Sequence, residues 1–149
     1  MRAVVQRVTS ARVVVDSRVV AAIDHGLLVL VGIGRHDDAG DTAYMANKIV
    51  GLRIFEDAGH RFNRSVREVD GTVLLVSQFT LYGDCRRGRR PSFDGAASPA
   101  EARAVYDGLV EALGALEVPV KTGEFQAHMT VESVNDGPVT ILLDSGKAF

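Results

Sequence analysis

Leu27-Leu28-Val29-Leu30-Val31-Gly32-Ile33 runs without a charge and without any apolar–polar alternation. A strand with one wet face alternates at period two, so this run predicts a strand buried on both faces. The segments before it fit the same sheet. Residues 2–15 are rich in valine (Val4, Val5, Val8, Val13, Val14, Val15), as a strand favours, and Arg18 to Ile23 reads as a second strand joined through Asp24-His25-Gly26. After it, Asp37 or Asp38 can cap a helix whose apolar positions Met45, Ala46, Ile49 and Leu52 fall at helical spacing.

Beyond a polar loop at Asp57-Ala58-Gly59-His60, Thr72 to Phe79 predicts another buried strand. Ser98-Pro99-Ala100-Glu101 is a capping box with proline at the first helical position. Ala102, Val105, Tyr106, Leu109, Leu113 and Leu116 then trace a single apolar stripe. Val118 to Lys121, Phe125 to Asn135 and Val139 to Asp144 read as closing strands. Three strands, a helix, a strand, a helix and three strands do not make the regular alternation of a doubly wound sheet. The order predicts an α+β fold: a strongly curved, barrel-like sheet with two helices packed outside it.

The chain has 149 residues, enough for one domain spanning 1–149, and 46% hydrophobic against 24% charged residues is a globular balance. A net charge of −2 leaves the question of a nucleic-acid partner to local clustering. The one cysteine, Cys85, excludes a disulfide framework and a Cys-x-x-Cys metal or redox site. The opening Met1-Arg2-Ala3-Val4-Val5-Gln6-Arg7 lacks the apolar core of a leader, and no run approaches the roughly 18 apolar residues of a membrane span. These features predict a cytoplasmic, soluble protein without membrane association.

Several familiar sites are absent. Gly32-Ile33-Gly34-Arg35-His36-Asp37 lacks the third glycine of a dinucleotide loop and reads as a strand-to-helix turn. The histidines His25, His36, His60 and His128 share no metal-ligand spacing, so no metal site is expected. Arg86-Arg87-Gly88-Arg89-Arg90 places four of the seventeen cations in five residues. Two readings stand for it: a solvated surface run, or a phosphate-binding loop whose guanidinium forks suit a nucleic-acid backbone. Ser77-Gln78-Phe79-Thr80-Leu81-Tyr82 ends an apolar strand in hydrogen-bonding side chains. That is either a capped turn or a polar cluster at the mouth of an apolar pocket. Asn135-Asp136-Gly137-Pro138-Val139-Thr140 favours a hairpin with Pro138 opening an edge strand; a cis Gly-Pro bond is the alternative, found at only about 5–6% of X–Pro bonds.

Ser-Gln-Phe-Thr-Leu-Tyr at 77–82 with Asn-Asp-Gly-Pro-Val-Thr at 135–140 resembles the motif pair of the D-aminoacyl-tRNA deacylases. The resemblance covers essentially the whole chain, including Leu52-Arg53-Ile54-Phe55-Glu56-Asp57 and Gly88-Arg89-Arg90-Pro91-Ser92-Phe93. It implies a cytosolic homodimer that hydrolyses the ester between a D-amino acid, or glycine, and the terminal adenosine of tRNA, without cofactor or metal. It further implies that Gly137 and Pro138 enter the partner's active site as a chiral gate, with a cis bond and with Arg7 supporting their carbonyls. Ser77, Gln78, Phe79 and Thr80 become the catalytic floor, Phe125, Ala127 and Met129 the pocket stretch, and Arg86, Arg87, Arg89 and Arg90 the grip on tRNA. The spacing of Phe125, Ala127 and Met129 places them on one face of a strand. Gln126 and His128 depart from the family pattern, which favours glycine and a small acidic residue there; Cys85 stands where threonine is frequent.

An aminoacyl ester is already activated, so its hydrolysis needs a placed water and donors for the developing oxyanion. The backbone amides of Phe79 and Thr80 are assigned that role, with the Gln78 side chain orienting the substrate. Thr80 as a nucleophile is the rival, short of a nearby histidine or lysine in sequence to take its proton. Assistance by the ribose 2′-hydroxyl is a further possibility. Two other readings of the chain are an RNA-binding module that grips the acceptor end and a general esterase of small apolar esters.

Overall fold

A computed structural model of the chain describes residues 1–148. Strands β1 (Arg2–Val15), β2 (Arg18–Ile23) and β3 (Gly26–Gly32) precede helix α1 (Ala39–Gly51). A two-stranded ribbon, β4 (Phe55–Glu56) and β5 (Phe62–Arg64), leads to β6 (Thr72–Ser77). Helix α2 (Pro99–Ala115), β7 (Val120–Thr122) and the long β8 (Thr130–Asp144) complete the chain. The predicted α+β architecture is what forms. Asp38 caps α1 by accepting from the N–H groups of Gly40 and Asp41, while Ser98 and Glu101 cap α2 reciprocally.

The main sheet runs β2-β1-β3-β6-β7, with β8 on the other edge of β1. Strand β1 is antiparallel to β2, β3 and β8; β3 and β6 pair in parallel, as do β6 and β7. The sheet curls until β2 lies alongside β6 and β7, and the Lys121 ammonium donates to the Ala22 carbonyl across the gap at 2.7 Å. This makes a nearly closed barrel.

Both faces of β3 and β6 are buried, as the unpatterned apolar runs predict. Leu27, Val29, Val31, Val73 and Leu75 join Met45, Ile49, Leu109 and Leu113 in a core beneath the helices. Leu28, Leu74 and Val76 meet Val8, Ala11, Val13 and Ile23 inside the barrel. On β1 the alternation changes phase. Ala3 and Val5 face the helices whereas Ala11, Val13 and Val15 face the barrel interior, because a bulge between Val8 and Ser10 shifts the register against β8. Gly26 leaves no room for a side chain: a Cβ there would lie 1.9 Å from the Thr72 carbonyl oxygen.

Three sequence expectations change. The strand predicted over Thr72 to Phe79 stops at Ser77, and Phe79–Tyr82 forms one 3₁₀ turn. Residues 125–129 are not strand: Gln126 adopts φ 63, which breaks the extended path before β8 starts at Thr130. The hairpin expected at Asn135–Thr140 does not form. Instead β8 passes straight through, with Asn135 opposite Val8 and Thr140 opposite Gln6, so residues 136–139 loop out against Arg7.

Candidate active site

The polar end of β6 opens into a cleft of about 940 Å³ at one end of the barrel. One wall is Val76, Ser77, Gln78 and Phe79; the facing wall is Phe125, Ala127, Met129 and Val131. Phe125 packs against the core beneath the helices, while Ala127 and Met129 pack against the barrel interior. The loop that carries them therefore crosses the barrel mouth. Although these residues leave the strand conformation, their alternation survives: Phe125, Ala127 and Met129 are half-buried and Gln126 and His128 exposed.

The geometry of the β6 end follows from its hydrogen bonds. The Gln78 N–H donates to the Val31 carbonyl at 2.7 Å, holding the end of β6 to β3. The next turn closes with Leu81 N–H on the Gln78 carbonyl at 3.2 Å. A turn of this kind leaves its first N–H groups, those of Phe79 and Thr80, without acceptors inside the turn. The Gln78 side-chain amide donates to the Thr80 hydroxyl. Thr80 is exposed and stands at the rim, outside the cleft lining. The Phe79 ring is 56% exposed and meets Phe93 edge-on at 5.0 Å, a flat apolar shelf at the mouth.

Gly137 and Pro138 lie elsewhere in the chain, and neither they nor Arg7 line this cleft. The Gly137–Pro138 peptide is cis. Asn135 staples the ends of the outward loop by accepting from the Val139 N–H at 2.7 Å and donating to the Val139 carbonyl at 3.2 Å. Arg7, 5% exposed, lies beneath it. Its guanidinium donates to the Asp136 carbonyl at 3.0 Å and the Ile54 carbonyl at 2.7 Å, and sits 3.3 Å from the Asp136 carboxylate. The expected support for the Gly-Pro carbonyls is thus one residue early: Arg7 grips Asp136.

The arginine run occupies a loop pinched by Asp84 and Ser92, which exchange backbone hydrogen bonds at 2.7 and 3.0 Å. Downstream, the same segment supplies Phe93, Ala96 and Ala97 to the cleft wall, whereas none of the four arginines lines the cleft. Arg86 is folded back on Asp84 at 2.6–3.0 Å, and that contact holds the Asp84 carboxyl down at about 2. Arg87, Arg89 and Arg90 are exposed and make no ion pair among the described residues. Arg35, His36, Gln126 and His128 also line the cleft, which sequence spacing did not reveal. No group of three metal-ligating side chains occurs among the described residues. No helix among them is long and apolar enough to cross a membrane.

A half-enclosed apolar cleft with a few convergent polar groups is the usual form of a small-substrate site. Comparison with known proteins defines its class. The family model of D-Tyr-tRNA(Tyr) deacylase matches residues 4–144. The D-aminoacyl-tRNA deacylase of Thermotoga petrophila is 57% identical over 149 residues, covering all of both chains. That of Symbiobacterium thermophilum is 58% identical over all of this chain and 99% of its own. Among solved structures, the c-Myc DNA unwinding element binding protein superposes with a TM-score of 0.92 at 40% identity, over 97% of this chain and 98% of that one. A probable eukaryotic D-amino acid tRNA deacylase has the same fold, with a TM-score of 0.79 at 17% identity. The chain belongs to the D-Tyr-tRNA(Tyr) deacylase family, a family of hydrolases that act on an ester bond.

Proposed function

We propose that the protein hydrolyses the ester of D-aminoacyl-tRNA, releasing free amino acid and tRNA, that it also clears glycyl-tRNA, and that it spares L-aminoacyl-tRNA. The observation that carries this reading is the meeting of the Ser77–Phe79 strand end with the Phe125–Met129 loop in one cleft, in a chain with full-length deacylase relatives. The cleft takes the aminoacyl end of tRNA, and the arginine loop that precedes Phe93 of the cleft wall takes backbone phosphates of the acceptor strand.

Water attacks the ester carbonyl, and the oxyanion that develops accepts from the free N–H groups of Phe79 and Thr80. Each donor of this kind contributes about 10²–10³-fold in rate. Gln78 orients the substrate from the same turn. Collapse of the tetrahedral intermediate breaks the ester C–O bond and expels the ribose oxygen, which takes up the proton given up by the attacking water and leaves as the hydroxyl of free tRNA.

Discrimination against the L series is steric. Attractive contacts with a small side chain supply only about 1–3 kcal/mol and cannot serve every D-residue while refusing every L-residue. Backbone held in the space of an L side chain can do so. Gly137 and Pro138 are exposed and line no part of their own cleft, which fits delivery to a second subunit in a homodimer. Glycine, with no side chain, passes such a gate.

The test is release of amino acid from matched D-, L- and glycyl-tRNA under multiple turnover. Release from the D and glycyl esters with the L ester intact is expected. A nucleic-acid-binding role, which the name of one structural neighbour suggests, leaves all three esters whole.

A further inference from the structure

Tyr106 on α2 is 4% exposed, and its hydroxyl donates to the Leu75 carbonyl at 2.8 Å. Burial, with a smaller contribution from Asp107, pushes this phenol's pKa up, so it stays a neutral donor. The same carbonyl accepts the Gly123 N–H at 3.1 Å. Leu75 is therefore a branch point. From it β6 continues to Ser77, and Gly123 opens the loop that carries Phe125. These two paths become the facing walls of the cleft. Tyr106 touches the second wall as well, its ring 5.7 Å from that of Phe125 at an angle of 46°. Arg103, from the preceding helical turn, sets its guanidinium 5.4 Å from the Phe125 centroid and is held there by Asp107 at 2.8 and 3.0 Å. Neither Tyr106 nor Arg103 lines the cleft.

We infer that Tyr106, with Arg103 beside it, is a positioning residue that fixes the separation between the amide donors after β6 and the Phe125 wall, and so governs the hydrolytic step rather than substrate capture. The inference rests on the reading of the cleft given above. One hydroxyl ties α2 to the carbonyl from which both walls diverge, so its loss frees that root to shift against the helix and against Phe125. A displacement of 1 Å in a reacting geometry costs up to about 10²-fold in rate, whereas capture of a large nucleic acid depends on many phosphate contacts remote from this point.

The experiment measures kcat and KM on D-aminoacyl-tRNA for the parent, Tyr106→Phe and Arg103→Ala. Tyr106→Phe keeps the ring and removes only the tie, so its kcat is expected to fall about tenfold with KM within about twofold of the parent. Arg103→Ala, a surface change that leaves the core intact, is expected to lower kcat in the same direction by a smaller factor. Unfolding midpoints for all three proteins are measured alongside. Parental kcat in Tyr106→Phe overturns the inference, and so does a loss that tracks only the fraction folded. Failure of the parent to release any amino acid overturns the reading of the cleft and the inference together.

Discussion

The Arg7 guanidinium donates to the carbonyl of Asp136 across the β1–β8 pairing, at the point where β8 carries four residues against one. Through Ile54 it also holds the segment that follows α1. A buried cation with three oxygen contacts organises the protruding loop from beneath. Arg7→Met is expected to lower unfolding free energy by about 2–4 kcal/mol, since two carbonyls lose their donors in a buried site. Urea denaturation measures this. An ordinary surface substitution changes stability by no more than about 0.5 kcal/mol, so a loss of that size removes Arg7 from the role.

Gly137 has φ +136, and a Cβ there would stand 2.7 Å from Val139 Cγ2 and 3.2 Å from an Arg7 nitrogen. Gly137→Ala therefore forces the loop to move, at a cost of about 1–3 kcal/mol. If this loop is the chiral gate, replacing Gly137 and Pro138 either admits L-aminoacyl-tRNA or abolishes turnover. Full activity with unchanged D-over-L selectivity in the double variant excludes the gate.

In the proposed mechanism Thr80 acts through its backbone N–H, while its hydroxyl accepts from the Gln78 amide. Thr80→Ala keeps the backbone donor, so it is expected to retain activity within about tenfold of the parent, a margin below the loss of one oxyanion donor. A loss of about 10⁴-fold in a folded variant assigns the hydroxyl a nucleophilic or acid–base role instead. Quenched single-turnover reactions inspected for an acyl-enzyme separate the two.

The four arginines are unequal. Arg86 is neutralised by Asp84, whereas Arg87, Arg89 and Arg90 are free to meet phosphate. Replacing the latter three by alanine is expected to reduce the slope of log(kcat/KM) against log[salt] by about 0.7 for each single-strand phosphate that goes without its cation. Arg86→Ala is expected to change it less. Equal effects from all four positions refute this ranking.

The Asp84 carboxyl titrates at about 2 because Arg86 donates to its charged form through side chain and backbone. A carboxyl with a depressed folded value contributes fully above its unfolded value, near 3.9, and loses that contribution as pH falls towards the folded one. The Asp84–Arg86 clip is thus expected to persist through about pH 4. A carboxyl chemical-shift titration of Asp84 with its midpoint at the unfolded value contradicts it.

Legibility in the sequence follows the range of the forces involved. The capping boxes at Asp38 and Ser98 and the apolar stripe of α2 are local, and they form where the residues place them. The unpatterned runs at Leu27 and Val73 announce burial on two faces because each face meets its own core. The Asn-Asp-Gly-Pro segment is ambiguous for a physical reason. The same turn chemistry serves a hairpin or a bulge, and the long pairing of β8 with β1 decides between them. In sequence, Tyr106 is one more position in an apolar stripe; its hydroxyl gains meaning only where Leu75 and Gly123 meet. In sequence His36 reads as a turn residue and His128 as part of a strand, and only the curl of the sheet brings their segments to one cleft.

Strand β1 pairs with β8 from Arg2 to Val14, joining residues separated by more than a hundred positions. During synthesis this edge of β1 has no partner until residues 130–144 have left the ribosome, since β2 and β3 occupy only its opposite edge. A nascent chain stalled before β8 displays a long strand edge of the kind that recruits other strands. Closure by so distant a contact also makes folding slow for a chain of this size. The segment that closes the barrel is the one that carries Gly137 and Pro138, so both ends of the loop are anchored to β1 only once residues 140–144 have emerged to seal the Arg2–Gln6 half of the edge.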